Sequence, residues 1–135
     1  MHEKILGAAL PSVGALSYLG DAAHSLYVRR MLVARGLSKS KDLNALALQY
    51  VTAHAQAQMY RRIEPMLLDD ERDVFRRASN STHLNKPKKA DAHEYRVATG
   101  FEAVIGMLDY LGDTQRLNEI LDKAHSEDDE NDTEN

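Results

Sequence analysis

The chain has no cysteine. Disulfides and thiolate metal sites are therefore excluded, and the absence fits a reducing cytoplasm. No apolar run approaches the length of a membrane span. Residues 5–19 lean apolar, but glycine and proline interrupt them and no basic segment of weight precedes them, so they do not read as a signal peptide. Strand-like alternation bounded by turns is missing. So are a Walker motif, a Rossmann glycine pattern and a nucleophile elbow. His2, His24, His54, His83, His93 and His125 show neither H-x-x-x-H nor H-E-x-x-H spacing, which argues against zinc. The expectation left is a soluble, cytoplasmic protein without a membrane partner.

At 135 residues the chain suits one domain, long enough to bury a core without staples. Its net charge of −4 is misleading. Residues 127–134 carry six acids and no base; without them, 17 basic against 21 acidic residues becomes 17 against 15, a body of +2. The division expected is a domain over residues 1–125 and an acidic, disordered tail over 126–135. The tail reads as a solvated terminus, with nucleic-acid mimicry or a solubility role as the functional alternatives.

Helical periodicity fills the rest. Val13, Leu16, Leu19, Ala23, Leu26 and Tyr27 recur at helical spacing over 13–35, and Gly36 makes a natural stop. Ser40 is a candidate N-cap for a second helix to about residue 63, with Leu43, Leu46, Ala47, Tyr50, Val51, His54 and Ala57 on its face, and Pro65 ends it. "DDERDVFRRAS" over 69–79 opens with acids and closes with bases, matching the helix dipole. Residues 80–92 lack a period, contain Pro87 and read as the longest internal loop. Asp91 and Glu94 form a D-x-x-E capping box for a helix reaching Gly112. Asp113 or Thr114 caps a last helix with Leu117, Ile120, Leu121 and Ala124 inward. Five helices and no sheet make an all-α domain, with no room for a second nucleic-acid-binding domain.

Two carboxylates interrupt this pattern. Asp21 is the only formal charge between Lys4 and Arg29; Glu102 is the only one between Arg96 and Asp109. Burying an ionised carboxylate is costly unless something positive or donating meets it. Spacing leaves three partners open: a hard cation, a basic residue, or helix-end amides. Each acid also lies near glycine. A mid-helix glycine costs about 1 kcal/mol against alanine, and the usual compensation is close helix approach. Gly14, Gly20, Gly100 and Gly106 would then draw the two acid-bearing helices together. His54 reads as a core or interface histidine, and Tyr18, Tyr27 and Tyr50 as packing residues.

"YLGDAA" and "FEAVIGMLDYL" bring a family into view. They resemble the two acidic motifs of the ribonuclease III family. "VRRMLVARG", "VTAHAQA", "DVFRRASN" and "EYRVATGFEAVIG" are similar to its short branch, Mini-ribonuclease III, which has no double-stranded-RNA-binding domain. The likeness spans roughly residues 10–122. It implies an all-α ribonuclease III-type catalytic domain, a homodimer, and hydrolysis of double-stranded RNA in maturing large-subunit (23S) ribosomal RNA precursor. It also implies Asp21 and Glu102 as catalytic ligands of Mg²⁺, with Mn²⁺ a candidate substitute. Mg²⁺ keeps several waters and takes one or two carboxylates. Full-length ribonuclease III has further acids where this chain has Gly14, Ser17 and Thr99. That leaves the metal count open and makes Ser17 and Thr99 candidates for orienting water around the ion. RNA contacts are expected from Arg76, Arg77, Asn80, Lys86, Lys88 and Lys89, because basic groups meet phosphates and duplex RNA is read by backbone and shape. A ribosomal protein is a candidate helper. The alternative is a non-catalytic, dimeric, helical RNA-binding protein whose acids serve structural ion pairs. A protein–protein adaptor is a third reading.

Overall fold

A computed structural model describes residues 9–81 and 91–126. Among them are six α-helices and one 3-10 turn: α1 (Val13–Ala34), α2 (Ser40–Val51), α3 (Ala53–Ile63), the turn (Glu64–Met66), α4 (Asp69–Asn80), α5 (Ala92–Tyr110) and α6 (Thr114–Ala124). No described residue lies in a strand, and no described helix is long and apolar enough to cross a membrane. The lysines of the internal loop (Lys86, Lys88, Lys89) and the acids of the tail lie outside the described residues.

Helix ends follow local chemistry. The Ser12 hydroxyl accepts from the Ala15 N–H at 3.1 Å and opens α1. Gly36 closes it at φ 93°, where a side chain would be strained. Asp113 caps α6 through the Arg116 N–H at 3.2 Å. Ser40 is the first helical residue of α2 rather than its cap. The single helix expected over 40–63 is two. Thr52 adopts extended backbone (φ −71°, ψ 156°), and its hydroxyl accepts from the Ala55 N–H at 3.1 Å. That is an N-cap inside a continuous apolar period. The break turns α3 so that Gln56, Ala57, Met59, Tyr60 and Ile63 are buried.

α5 is the central helix. Ala98, Gly100, Phe101 and the run from Ala103 to Leu108 are buried, and α1, α3, α4 and α6 pack around them. α1 crosses it at reciprocal glycines. A Cβ at Gly20 would overlap the Glu102 carbonyl, and one at Gly106 would overlap the Leu16 carbonyl. No alanine fits either contact. The buried line of α1 therefore runs Leu16, Gly20, His24, Val28, Leu32. It bypasses Leu26, which is half exposed. Gly100 meets the Phe75 ring of α4. Gly14, in contrast, has open space where its Cβ would be and takes no part in helix approach.

α4 and α6 are joined by a buried ion pair. Glu71 is fully buried and accepts from Arg116 Nε at 2.9 Å and Nη2 at 2.8 Å. It also accepts from the Leu68 N–H at 2.8 Å, while Arg116 donates to the Met66 carbonyl at 2.6 Å. Every charge-bearing atom is met, as a buried pair requires.

Candidate active site

A cavity of about 620 Å³ opens where α1, α5 and the end of α4 meet. Asp21 and Glu102 line it, with Ser17, Tyr18, Tyr95, Thr99 and Ser81 around them. The glycine crossing puts the two acids side by side. Gly20 touches the backbone of Glu102 itself, so adjacent residues carry the carboxyl groups into one space. Their side chains are within hydrogen-bond reach of each other. Two carboxyls in contact cannot both ionise without cost unless a cation joins them. Burial pushes the Glu102 carboxyl up to about 8, with the charge of Asp21 adding to the rise and the Gln56 amide opposing it.

Among the described residues, no lysine or arginine lines this cavity. Of the three partners left open by spacing, the donor set fits a hard cation best. No group of three or more acids or histidines forms a fuller ligand cage among the described residues. Two carboxylates still suit Mg²⁺, which completes its shell with water and substrate oxygens.

The hydroxyl neighbours are fixed by the backbone. Ser17 Oγ donates to the Thr99 carbonyl at 2.9 Å, tying α1 to α5 one turn from the acids. Thr99 Oγ1 donates to the Tyr95 carbonyl at 3.0 Å. Their lone pairs remain to accept from water.

The sequence order and spacing of these elements match a known family over most of the chain. The family model described as Ribonuclease III domain matches residues 14–113. The chain is 44% identical over 109 residues to the Mini-ribonuclease 3 of Symbiobacterium thermophilum, covering 81% of this chain and 84% of that one. The chain belongs to the ribonuclease III family, in its Mini-ribonuclease III branch. It is thus a hydrolase of the ribonuclease III type. The Mini-ribonuclease 3 of Streptococcus pneumoniae is 38% identical over 109 residues, covering 79% of this chain and 85% of that one. The fold agrees with a crystal structure of a protein from Fusobacterium nucleatum at a TM-score of 0.73 and 28% identity, covering 82% of this chain and 88% of that one.

The basic residues of this ribonuclease III domain divide. Arg76 and Arg77 lie exposed on α4, and both donate to Asp73, at 2.6 and 3.0 Å. Asn80 directly precedes Ser81 of the cavity wall. Lys86, Lys88 and Lys89 fall outside the described residues. His54 is not in the core: its side chain is 67% exposed, and Nδ1 lies 2.6 Å from Glu94 Oε2. Glu94 thereby completes only half of the capping box, its N–H donating to Asp91 Oδ1 at 3.0 Å. Tyr27 and Tyr50 pack on the His125 ring, but Tyr18 is 84% exposed at the cavity rim.

A buried polar chain behind the acids escaped the sequence reading. Gln56 Nε2 lies 3.2 Å from Glu102 Oε2 and 3.1 Å from His24 Nδ1. His24 Nε2 lies 2.9 Å from His125 Nε2. Burial lowers His24 to about 3 and His125 to about 4, so both rings are neutral near pH 7. The four residues come from four helices or helix ends. Spacing carries no trace of them; the one signal was polar Gln56 and His24 on otherwise apolar helix faces.

Proposed function

We propose that this ribonuclease III-type hydrolase cleaves double-stranded RNA with Mg²⁺ held by Asp21 and Glu102, in the maturation of large-subunit ribosomal RNA precursor in the cytoplasm. The observation that carries the reading is the contact of these two carboxyls across the α1–α5 crossing. When bound, Mg²⁺ supplies an activated water and relieves charge on the leaving oxygen. The chain's own groups hold and orient. Asp21 and Glu102 provide anionic oxygens from two helices fixed by backbone contact. Ser17 and Thr99 accept from water at the cavity wall. Arg76, Arg77 and Asn80, with Lys86, Lys88 and Lys89, take the RNA backbone. The bonds from Arg76 and Arg77 to Asp73 are exposed and weak enough for a phosphate to displace.

The active form is a homodimer. Ala15, Tyr18, Ala22 and Leu26 recur at three- and four-residue intervals on one exposed face of α1. Tyr18 is 84% and Leu26 53% exposed, an apolar stripe suited to an isologous partner. Two cavities facing one duplex cut both strands.

The decisive test is incubation with long duplex RNA, with Mg²⁺ or with EDTA. Metal-dependent shortening of RNA, with duplex DNA spared, is expected. Asp21→Asn should abolish cleavage and leave binding and helical content near wild type. An active Asp21→Asn protein, or cleavage in EDTA, overturns the assignment. RNA binding without any cleavage would favour the non-catalytic reading.

A further inference from the structure

We propose that Gln56 is a positioning residue for Glu102, held in its working orientation by the His24–His125 pair. The inference rests on the assignment of Glu102 as a metal ligand and goes beyond it.

The hydrogen-bond directions follow from chemistry. A metal-holding Glu102 is ionised and only accepts. The atom of Gln56 facing it must therefore be the amide nitrogen, as placed, at 3.2 Å. The second N–H of that nitrogen points to His24 Nδ1 at 3.1 Å, which must accept. A neutral imidazole accepting at Nδ1 carries its proton on Nε2. His24 Nε2–H then donates to His125 Nε2 at 2.9 Å, and His125 carries its own proton on Nδ1. Each link fixes the next, and one consistent arrangement remains.

The consequence is orientational. A free glutamine amide can rotate and present its carbonyl, which would repel the Glu102 carboxylate. Here an inverted amide would also require both rings to exchange tautomers, with His24 moving its proton to Nδ1 and His125 donating from Nε2. The chain is shielded from competing water: Gln56 is 2% exposed and His24 fully buried against the Phe101 ring edge. Gln56 thus engages one carboxyl oxygen of Glu102, Oε2, and fixes the plane in which the other lies. Partners behind a metal ligand commonly set its orientation and affinity.

The test separates this role from packing and from the metal assignment. Mn²⁺ is titrated calorimetrically into RNA-free wild type, Gln56→Met and His125→Phe, with circular dichroism and Tm recorded. Cleavage of duplex RNA is then measured against metal and RNA concentration. Gln56→Met, of similar volume but unable to donate, should weaken Mn²⁺ binding by about tenfold or more. Its kcat at limiting metal should fall while KM for RNA stays unchanged, with recovery at excess metal. His125→Phe lies at the less buried end of the chain and should show a smaller loss of the same kind. Folded variants of either type with wild-type Mn²⁺ affinity overturn the proposal. Should Gln56→Met fail to fold, His125→Phe decides. Wild type binding no Mn²⁺ would instead overturn the metal assignment itself.

Discussion

Glu102 is a residue whose burial costs stability once its carboxyl ionises. Its carboxyl is pushed by burial from 4.5 up to about 8. Below pH 4.5 it is protonated in folded and unfolded chains alike, and the stability it contributes is fully present. As pH rises through 8 the unfolded chain gains by ionising sooner, and that contribution is lost. The metal-free protein should therefore lose stability from this group between pH 4.5 and 8. On the proposed reading Mg²⁺ binds the ionised pair, so its stabilising effect should grow over the same window. Thermal melts at pH 6 and pH 8 on the same scale, with Mg²⁺ or EDTA, check this; an equal Mg²⁺ gain at both would contradict it. Glu102→Gln removes the ionisation and should raise the metal-free stability at pH 8 by about 1 kcal/mol or more. It should also end cleavage. The oddity of Asp21 and Glu102 was legible as isolated charges in apolar helices. What was not legible was the contact between them, because it depends on two residues 81 positions apart.

Among the helices, the crossing of α1 on α5 is the contact that matters most. Gly20 and Gly106 each lie against the opposite backbone, so an added methyl must push the helices apart. Gly20→Ala and Gly106→Ala should each cost about 3 kcal/mol or more, read by urea unfolding. Both should weaken cleavage beyond the stability loss, since separation parts the carboxyls. Gly14→Ala meets open space and should be neutral or stabilising by up to about 1 kcal/mol. The sequence marks all three glycines alike; only the neighbour each one faces distinguishes them. Arg116→Met offers a second test at this scale. It leaves fully buried Glu71 without its cation and should cost about 3–5 kcal/mol. Glu71 was readable only as a dipole-compensating acid of the first turn of α4. Its burial depends on α6, which follows much later in the chain. The break at Thr52 was hidden for a related reason. The apolar period runs through it, and threonine is a tolerated helix residue as well as a cap.

At the scale of the whole molecule, the proposed reading draws affinity for RNA from the basic residues of this domain. Replacing Lys86, Lys88 and Lys89 together by alanine should weaken duplex binding and flatten its dependence on salt, because fewer counterions are released. Binding measured across a salt series checks this; an unchanged slope places the phosphate contacts elsewhere. Leu26→Glu should shift the protein toward monomer in sedimentation, since it sets a charge on the exposed stripe of α1 away from the cavity. Cleavage by that monomer should nick one strand rather than cut both.

By itself, the sequence determined the helical class, most helix ends and the family, and it marked the two acids as isolated charges. Those features are written in local periodicity, capping residues and short motifs, which the chain carries wherever its neighbours fall. Tertiary structure alone decided that Gly20 and Gly106 are contacts while Gly14 is not, and that Leu26 is outside. It also decided that Gln56, His24 and His125 stand behind Glu102. Each of these depends on which distant segment comes within a few ångströms, and packing, not spacing, sets that.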